Sequence, residues 1–138
     1  MLYYGYSKGT KQKKKRTCYT MKTYEKVNLK TQDLGKTYNK DWKQDVFAYN
    51  MTLSRNGKQA TFKFFTGTGW DKAPSVKDLL GSLVRDYNFT LEELIDDLGY
   101  SYNEGSKIFA NIQRNNEKLD KLFSSAEIVA LQTELEDY

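Results

Sequence analysis

The groups in this chain that could do chemistry are carboxylates, because its 138 residues include no histidine and a single cysteine, Cys18. Without an imidazole the chain lacks the usual general base near neutral pH and the usual nitrogen ligand of zinc. Four acidic side chains fall on adjacent turns of a predicted helix: Glu92, Glu93, Asp96 and Asp97. Their oxygens could hold Mg²⁺, could present an acidic surface to a partner, or could form an ordinary solvated helix face. We expect no metal, no cofactor and no catalysis.

A second group of residues is basic and lies near the N-terminus: Lys11, Lys13, Lys14, Lys15 and Arg16. Positive charge at this density attracts phosphates whatever the base sequence, and salt weakens the attraction. Tyrosines on both sides of the run could stack on nucleobases: Tyr3, Tyr4, Tyr6, Tyr19 and Tyr24. The pattern predicts an arm that binds nucleic acid or a partner protein. The alternative is a solvated tail that keeps the protein soluble.

Charge is unevenly distributed along the chain. Residues 1–43 carry 12 Lys or Arg against 3 acidic residues, whereas residues 44–138 carry 10 against 15. The net charges of +9 and −5 together give the chain's +4. This asymmetry predicts a basic N-terminal arm over residues 1–43, with one candidate strand at residues 17–24, and a compact body over residues 44–138. A cytoplasmic location is expected, because the chain has no run of about 18 apolar residues and no apolar leader pattern.

The elements that position these residues include a hairpin over residues 45–66. Asn56-Gly57 is the preferred dipeptide of a type I′ turn, because both central residues need positive φ. A two-residue turn pairs apolar residues on one face: Leu53 with Ala60, Met51 with Phe62, and Tyr49 with Phe64. Upstream, residues 29–40 are predicted to be a loop, since Gly35 and Asn39 interrupt them.

Helical signals follow the hairpin. A first helix is capped by Ser75 and has an apolar stripe at helical spacing: Val76, Leu79, Leu80, Leu83, Val84 and Tyr87. A capping box predicts a short second helix over residues 90–99. A third helix is predicted over residues 103–123, and Ser125 is predicted to cap a fourth. Strands followed by helices indicate the α+β class, with an antiparallel sheet packed on three to four C-terminal helices.

A glycine-containing loop and two tryptophans near the hairpin are predicted to have structural roles. The stretch Thr66-Gly67-Thr68-Gly69 looks superficially like a phosphate-binding loop. It lacks the lysine ending of a Walker loop and the third glycine of a dinucleotide fingerprint, so it is predicted to connect the sheet to a helix. Trp42 and Trp70 bracket the hairpin, and we predict that both lie in the core or at its edge; the alternative is that they form a platform for a ligand.

The order of features over residues 42–123 is also informative. It comprises Trp42, the strand segment Tyr49-Asn50-Met51-Thr52-Leu53, the turn Phe64-Phe65-Thr66-Gly67-Thr68-Gly69, the helix start Pro74-Ser75-Val76-Lys77-Asp78-Leu79-Leu80 and the stretch Gly99-Tyr100-Ser101-Tyr102. This order resembles a family of small uncharacterised proteins of phages and mobile elements. Small proteins of this kind include anti-CRISPR inhibitors, and a basic arm on a compact body is similar to some inhibitors of type II effectors.

The resemblance implies a phage-type inhibitor that acts in the host bacterial cytoplasm. It would bind and block a host nuclease ribonucleoprotein, foremost a type II CRISPR effector with its guide RNA. The basic arm would meet RNA or an acidic protein surface, and the acidic helices would meet a DNA-binding groove. The alternative function is a non-catalytic nucleic-acid-binding accessory protein of phage replication or regulation. A magnesium-dependent nuclease is the third and least supported class.

Overall fold

Two antiparallel strands joined by Asn56-Gly57 form the centre of the fold. The computed structural model describes residues 21–70 and 72–137. Strand β2 (Gln44–Arg55) pairs with β3 (Lys58–Gly67) in the predicted register, which sets Met51 opposite Phe62. Asn56 and Gly57 have φ values of 52° and 80°, as a type I′ turn requires. The predicted hairpin is confirmed.

The predicted loop over residues 29–40 is wrong, because these residues belong to a strand. Strand β1 (Asn28–Asn39) pairs antiparallel with β2, so the strand order is β1-β2-β3. Gly35 lies at a bulge in β1 with φ of 84°, where the register shifts after Asp33. Most side chains of β1 are exposed, and a strand exposed on both faces has no apolar alternation to reveal it. Residues 28–39 therefore belong to the sheet, although they fall within the predicted arm over residues 1–43.

The chain enters the sheet through a 3₁₀ turn, Thr23–Lys26, rather than through the strand predicted at residues 17–24. The earlier part of that candidate strand, up to residue 20, lies outside the described residues. The carboxylate of Glu134, near the C-terminus, accepts hydrogen bonds of 2.8 Å from the backbone N–H and from the hydroxyl of Thr23. Thr23 itself is buried, so this contact attaches the turn to the body.

Three α-helices and one short π-helix follow the sheet in the described residues: α1 (Val76–Asp86), the π-helix (Glu93–Asp97), α2 (Tyr102–Leu122) and α3 (Ser125–Glu134). Ser75 caps α1 as predicted: its hydroxyl oxygen accepts from the backbone N–H of Asp78, and its own backbone N–H donates to the Asp78 carboxylate. The capping box at the start of the short second helix is also present, because Thr90 N–H donates to Glu93 Oε1 over 2.9 Å. Helix α3 is capped by Ser124, one residue before the predicted cap, because Glu127 then completes the box.

The helices pack on one face of the sheet, which we call the inner face. Its core combines apolar strand residues with the apolar stripes of all three helices: Tyr49, Met51, Leu53, Phe62, Leu79, Leu80, Val84, Leu119, Leu122, Ile128 and Leu131. Each fully buried Leu or Phe side chain contributes roughly 1.5–3 kcal/mol relative to exposure. The predicted α+β class is therefore confirmed. Among the described residues, no helix has the length and apolar character needed to cross a membrane.

An ion pair fastens the hairpin to the junction between α2 and α3. The guanidinium of Arg55 donates two hydrogen bonds of 2.8 Å to the Glu127 carboxylate and a third, of 2.9 Å, to the carbonyl oxygen of Leu122. The hydrogen bonds from Arg55 and from the Ser124 backbone lower the pKa of Glu127 from its ordinary 4.5 to about 2. The turn end of the sheet is thus held against the helices by directed bonds as well as by apolar contact.

A candidate binding groove beside an open strand edge

Most residues of the predicted basic arm lie outside the described part of the chain: Lys11, Lys13, Lys14, Lys15, Arg16, Tyr3, Tyr4, Tyr6 and Tyr19. Tyr24 is described, and it packs against the hydrophobic core. The Nζ atom of Lys77 lies 5.0 Å from the centre of its ring. Because the core and this lysine occupy the ring, Tyr24 is poorly placed to stack on a nucleobase.

The four predicted acidic residues have different surroundings. Glu93 is engaged in its capping box with Thr90, whereas Glu92, Asp96 and Asp97 are exposed. No group of three or more His, Cys, Asp or Glu residues within the described ranges is arranged to hold a metal ion. The acidic surface for a partner stays a prediction.

The prediction that both tryptophans lie in or at the core is wrong. Trp42 is 50% exposed and Trp70 is 46% exposed. Trp42 is fixed in the turn between β1 and β2, where its backbone N–H donates to Asn39 Oδ1 over 2.9 Å. Its ring meets Phe65 of β3 edge to face, with ring centres 6.2 Å apart. Trp70 follows β3 in the connection toward α1, and its N–H donates to the carbonyl oxygen of Gly67 over 3.2 Å.

A groove of about 550 Å³ lies beside the two tryptophans, between β3, α1 and α2. Its lining combines aromatic residues of β3 and of the segments beside it with mostly polar residues of α1 and α2: Trp42, Lys63, Phe64, Phe65, Trp70, Asp78, Leu79, Ser82, Leu83, Arg85, Asp86, Asn111 and Asn115. A neighbouring cavity of about 270 Å³ shares the lining residues Leu83, Asp86, Asn111 and Asn115. The groove has the volume of a typical binding site.

One wall of the groove is the free edge of β3. Because the turn has two residues, Arg55 and Lys58 form a hydrogen-bonded pair. Along an antiparallel ladder such pairs alternate with pairs that are not hydrogen-bonded. The β3 residues between the hydrogen-bonded pairs therefore direct their backbone N–H and C=O groups away from β2: Gln59, Thr61, Lys63, Phe65 and Gly67. The Nζ atom of Lys118 donates to the carbonyl oxygen of Thr61 over 2.7 Å, which agrees with this direction. At Lys63 and Phe65 the same groups face the groove.

The charges in the groove balance. Lys63 and Arg85 supply positive charge, and Asp78 and Asp86 supply negative charge. The carboxylate of Asp78 already accepts a hydrogen bond from the backbone N–H of Ser75. Burial raises the pKa of Asp86, and the nearby Arg85 opposes this effect. Lys63 has no hydrogen bond or ion pair with any described residue, so its charge is open to a ligand.

The groove offers several kinds of contact to a ligand. Two indole rings offer apolar contact, two amides and one carboxyl offer hydrogen bonds, and an open strand edge offers main-chain donors and acceptors. Sequence reasoning missed the groove because its walls come from distant segments. One signal was present: Trp42 lies between Asp41 and Lys43, outside the apolar alternation of the hairpin. Compared with known proteins, the chain matches no family model, and neither a curated protein nor a solved structure shows significant similarity to it.

Proposed function

We propose that this chain is a non-enzymatic binding protein whose body docks on a partner protein through the groove between β3, α1 and α2. The observation that carries the proposal is the exposure of Trp42 and Trp70, which both line that groove. A tryptophan side chain is among the largest sources of apolar contact, so two half-exposed rings beside one groove indicate a surface that a partner covers.

The partner that we propose is a host nuclease ribonucleoprotein, foremost a type II CRISPR effector, which the chain would bind and block in the bacterial cytoplasm. Two features support this partner. The first is the division of charge, because a basic N-terminal segment suits guide RNA, whereas a groove without net charge suits protein. The second is the resemblance of residues 42–123 to small phage proteins.

A second candidate is a non-catalytic nucleic-acid-binding accessory protein of phage replication or regulation. The run from Lys11 to Arg16 and the flanking tyrosines favour it, because lysine and tyrosine together bind single strands without sequence preference. In this case the N-terminal segment alone would supply most of the affinity. The groove would then have little effect on binding to nucleic acid.

The discriminating experiment measures target cleavage by a panel of purified type II effector–guide complexes with increasing amounts of the protein. We expect wild type to inhibit cleavage. The double variant Trp42→Ala/Trp70→Ala should lose this inhibition, and Tyr102→Ala should retain it. Tyr102 is a matched control, because it is an aromatic residue that is 68% exposed and does not line the groove. Two results together would reject the inhibitor and favour the accessory protein. Every complex would cleave its target fully at saturating protein, and the double variant would bind RNA as tightly as wild type.

A further inference from the structure

We propose that the groove takes an extended segment of the partner protein as a fourth strand, which pairs with the backbone of Lys63 and Phe65 on the edge of β3. This inference deepens the proposed function and rests on it. It specifies how the partner is held and which chemical pattern its segment carries.

The open part of the edge has defined ends. On one side, the carbonyl oxygen of Thr61 is already bonded to Lys118 Nζ at 2.7 Å. On the other side, the carbonyl oxygen of Gly67 accepts the N–H of Trp70 at 3.2 Å. Between these bonds, the N–H and C=O groups of Lys63 and Phe65 face the groove with no hydrogen-bond partner among the described residues. An added strand of about three to five residues satisfies these four groups.

The side chains beside the edge define what the added segment carries. Residues opposite Lys63 and Phe65 share the outer face of the sheet, and the residue between them points inward beside Phe64. Lys63 lacks an ion pair, so an acidic side chain belongs opposite it. Phe65 and Trp42 form an aromatic pair, so a large apolar side chain belongs beside them. The inward residue meets Leu83 and is apolar.

The same observations favour a peptide over a single-stranded nucleic acid. The groove has two cationic and two anionic side chains, so it offers no net attraction to a phosphate backbone. Alternating backbone donors and acceptors match another peptide backbone, which carries both kinds of group at the same spacing. The groove therefore recognises an extended protein segment with the order acidic, apolar, large apolar, in either chain direction.

The test begins with a phage-displayed library of random heptapeptides selected against the full-length protein. Enriched peptides are synthesised, and their affinity is measured by calorimetry. Each backbone nitrogen is then methylated in turn. Because alternate N–H groups of an added strand point to β3, methylation at two alternate positions should weaken binding roughly tenfold or more, whereas methylation between them should change it little. The protein variant Lys63→Glu should shift the selected preference from acidic to basic at one position.

Five outcomes contradict the inference. Peptides that tolerate methylation at every nitrogen would show docking by side chains alone, which leaves the proposed function standing. Peptides that bind Trp42→Ala/Trp70→Ala as tightly as wild type, or no enriched peptide at all, would reject the groove as a protein site. Tryptophan-dependent binding of a ten-nucleotide uridine RNA in place of peptides would assign the groove to nucleic acid. Dimerisation lost in Lys63→Glu would assign the edge to a second copy of the chain.

Discussion

Replacing Glu127 with glutamine removes one charge from the junction that joins the hairpin to the last two helices. The carboxylate of Glu127 accepts two hydrogen bonds from Arg55, each of 2.8 Å, and Lys26 Nζ lies 3.9 Å away. The glutamine amide keeps an oxygen that can cap α3 at Ser124. It cannot accept both guanidinium hydrogen bonds as a charged pair, so the substitution isolates the ion pair from the cap.

The size of the effect follows from the pKa of Glu127. A fall from 4.5 to about 2 would correspond to at most roughly 3.4 kcal/mol, at 1.36 kcal/mol per pKa unit. The side chain of Glu127 is 23% exposed, and solvent screening reduces this figure. We expect Glu127→Gln to lower the free energy of unfolding by about 1–2 kcal/mol at pH 7.

The sign of the pH dependence is fixed by the direction of the pKa change. The folded state holds the carboxyl ionised more strongly than the unfolded state does, so the stabilisation is complete above about pH 5. It is lost as the pH falls from near 4.5 to near 2, where the folded protein also binds the proton. The stability gap between wild type and Glu127→Gln should therefore narrow across this range.

The assay is urea unfolding followed by far-ultraviolet circular dichroism at pH 7, 4.5 and 2.5. Glu104→Gln is the matched control, because Glu104 occupies the same capping position in α2, with Ser101, and has no arginine hydrogen bond. The reasoning is refuted if the two variants lose equal stability at pH 7. It is also refuted if the gap between wild type and Glu127→Gln is the same at pH 7 and pH 2.5.

Three further predictions concern other parts of the chain. Gly57→Val should destabilise the fold by roughly 1–3 kcal/mol, because a β-branched residue resists the φ of 80° in the turn; an unchanged melting temperature would contradict this. Thr66→Val should leave stability unchanged or raise it by up to about 1 kcal/mol, because the buried Thr66 hydroxyl has no hydrogen-bond partner within the described ranges; clear destabilisation in urea would count against it. Alanine at Lys13, Lys14, Lys15 and Arg16 together should weaken RNA binding and leave the melting temperature unchanged. The slope of log affinity against log salt concentration should flatten by about 0.7 per lost phosphate contact.

The parts of the fold that could be predicted are those fixed by neighbours in the sequence. The hairpin follows from Asn56-Gly57 and from apolar residues at every second position, which agree on one register. The helix starts follow from a serine or threonine with an acid three residues later, because both hydrogen bonds of a capping box are local. Local rules also explain the single-residue error at Ser125, since two adjacent serines compete for the cap.

The parts that could not be predicted depend on contacts between distant segments. Strand β1 has little apolar patterning, and its place follows from its backbone pairing with β2. Residue type alone predicts Trp42 and Trp70 in the core or at its edge, but turn geometry holds both at the surface. The limit of the open edge at Thr61 depends on Lys118, which is 57 positions away in the chain. No local pattern encodes such a contact.

The bulge in β1 bears on the solubility of the protein. β1 forms an outer edge of the sheet that is twelve residues long, and long regular edges nucleate aggregation by recruiting strands from other molecules. The register shift between Asp33 and Gly35 interrupts the edge near its middle, and Lys30 and Lys36 place positive charge on either side of it. A fibril needs straight, repeating strands, and this edge supplies only two short, charged pieces. The bulge and the two lysines therefore disfavour the pairing of β1 with strands of other molecules.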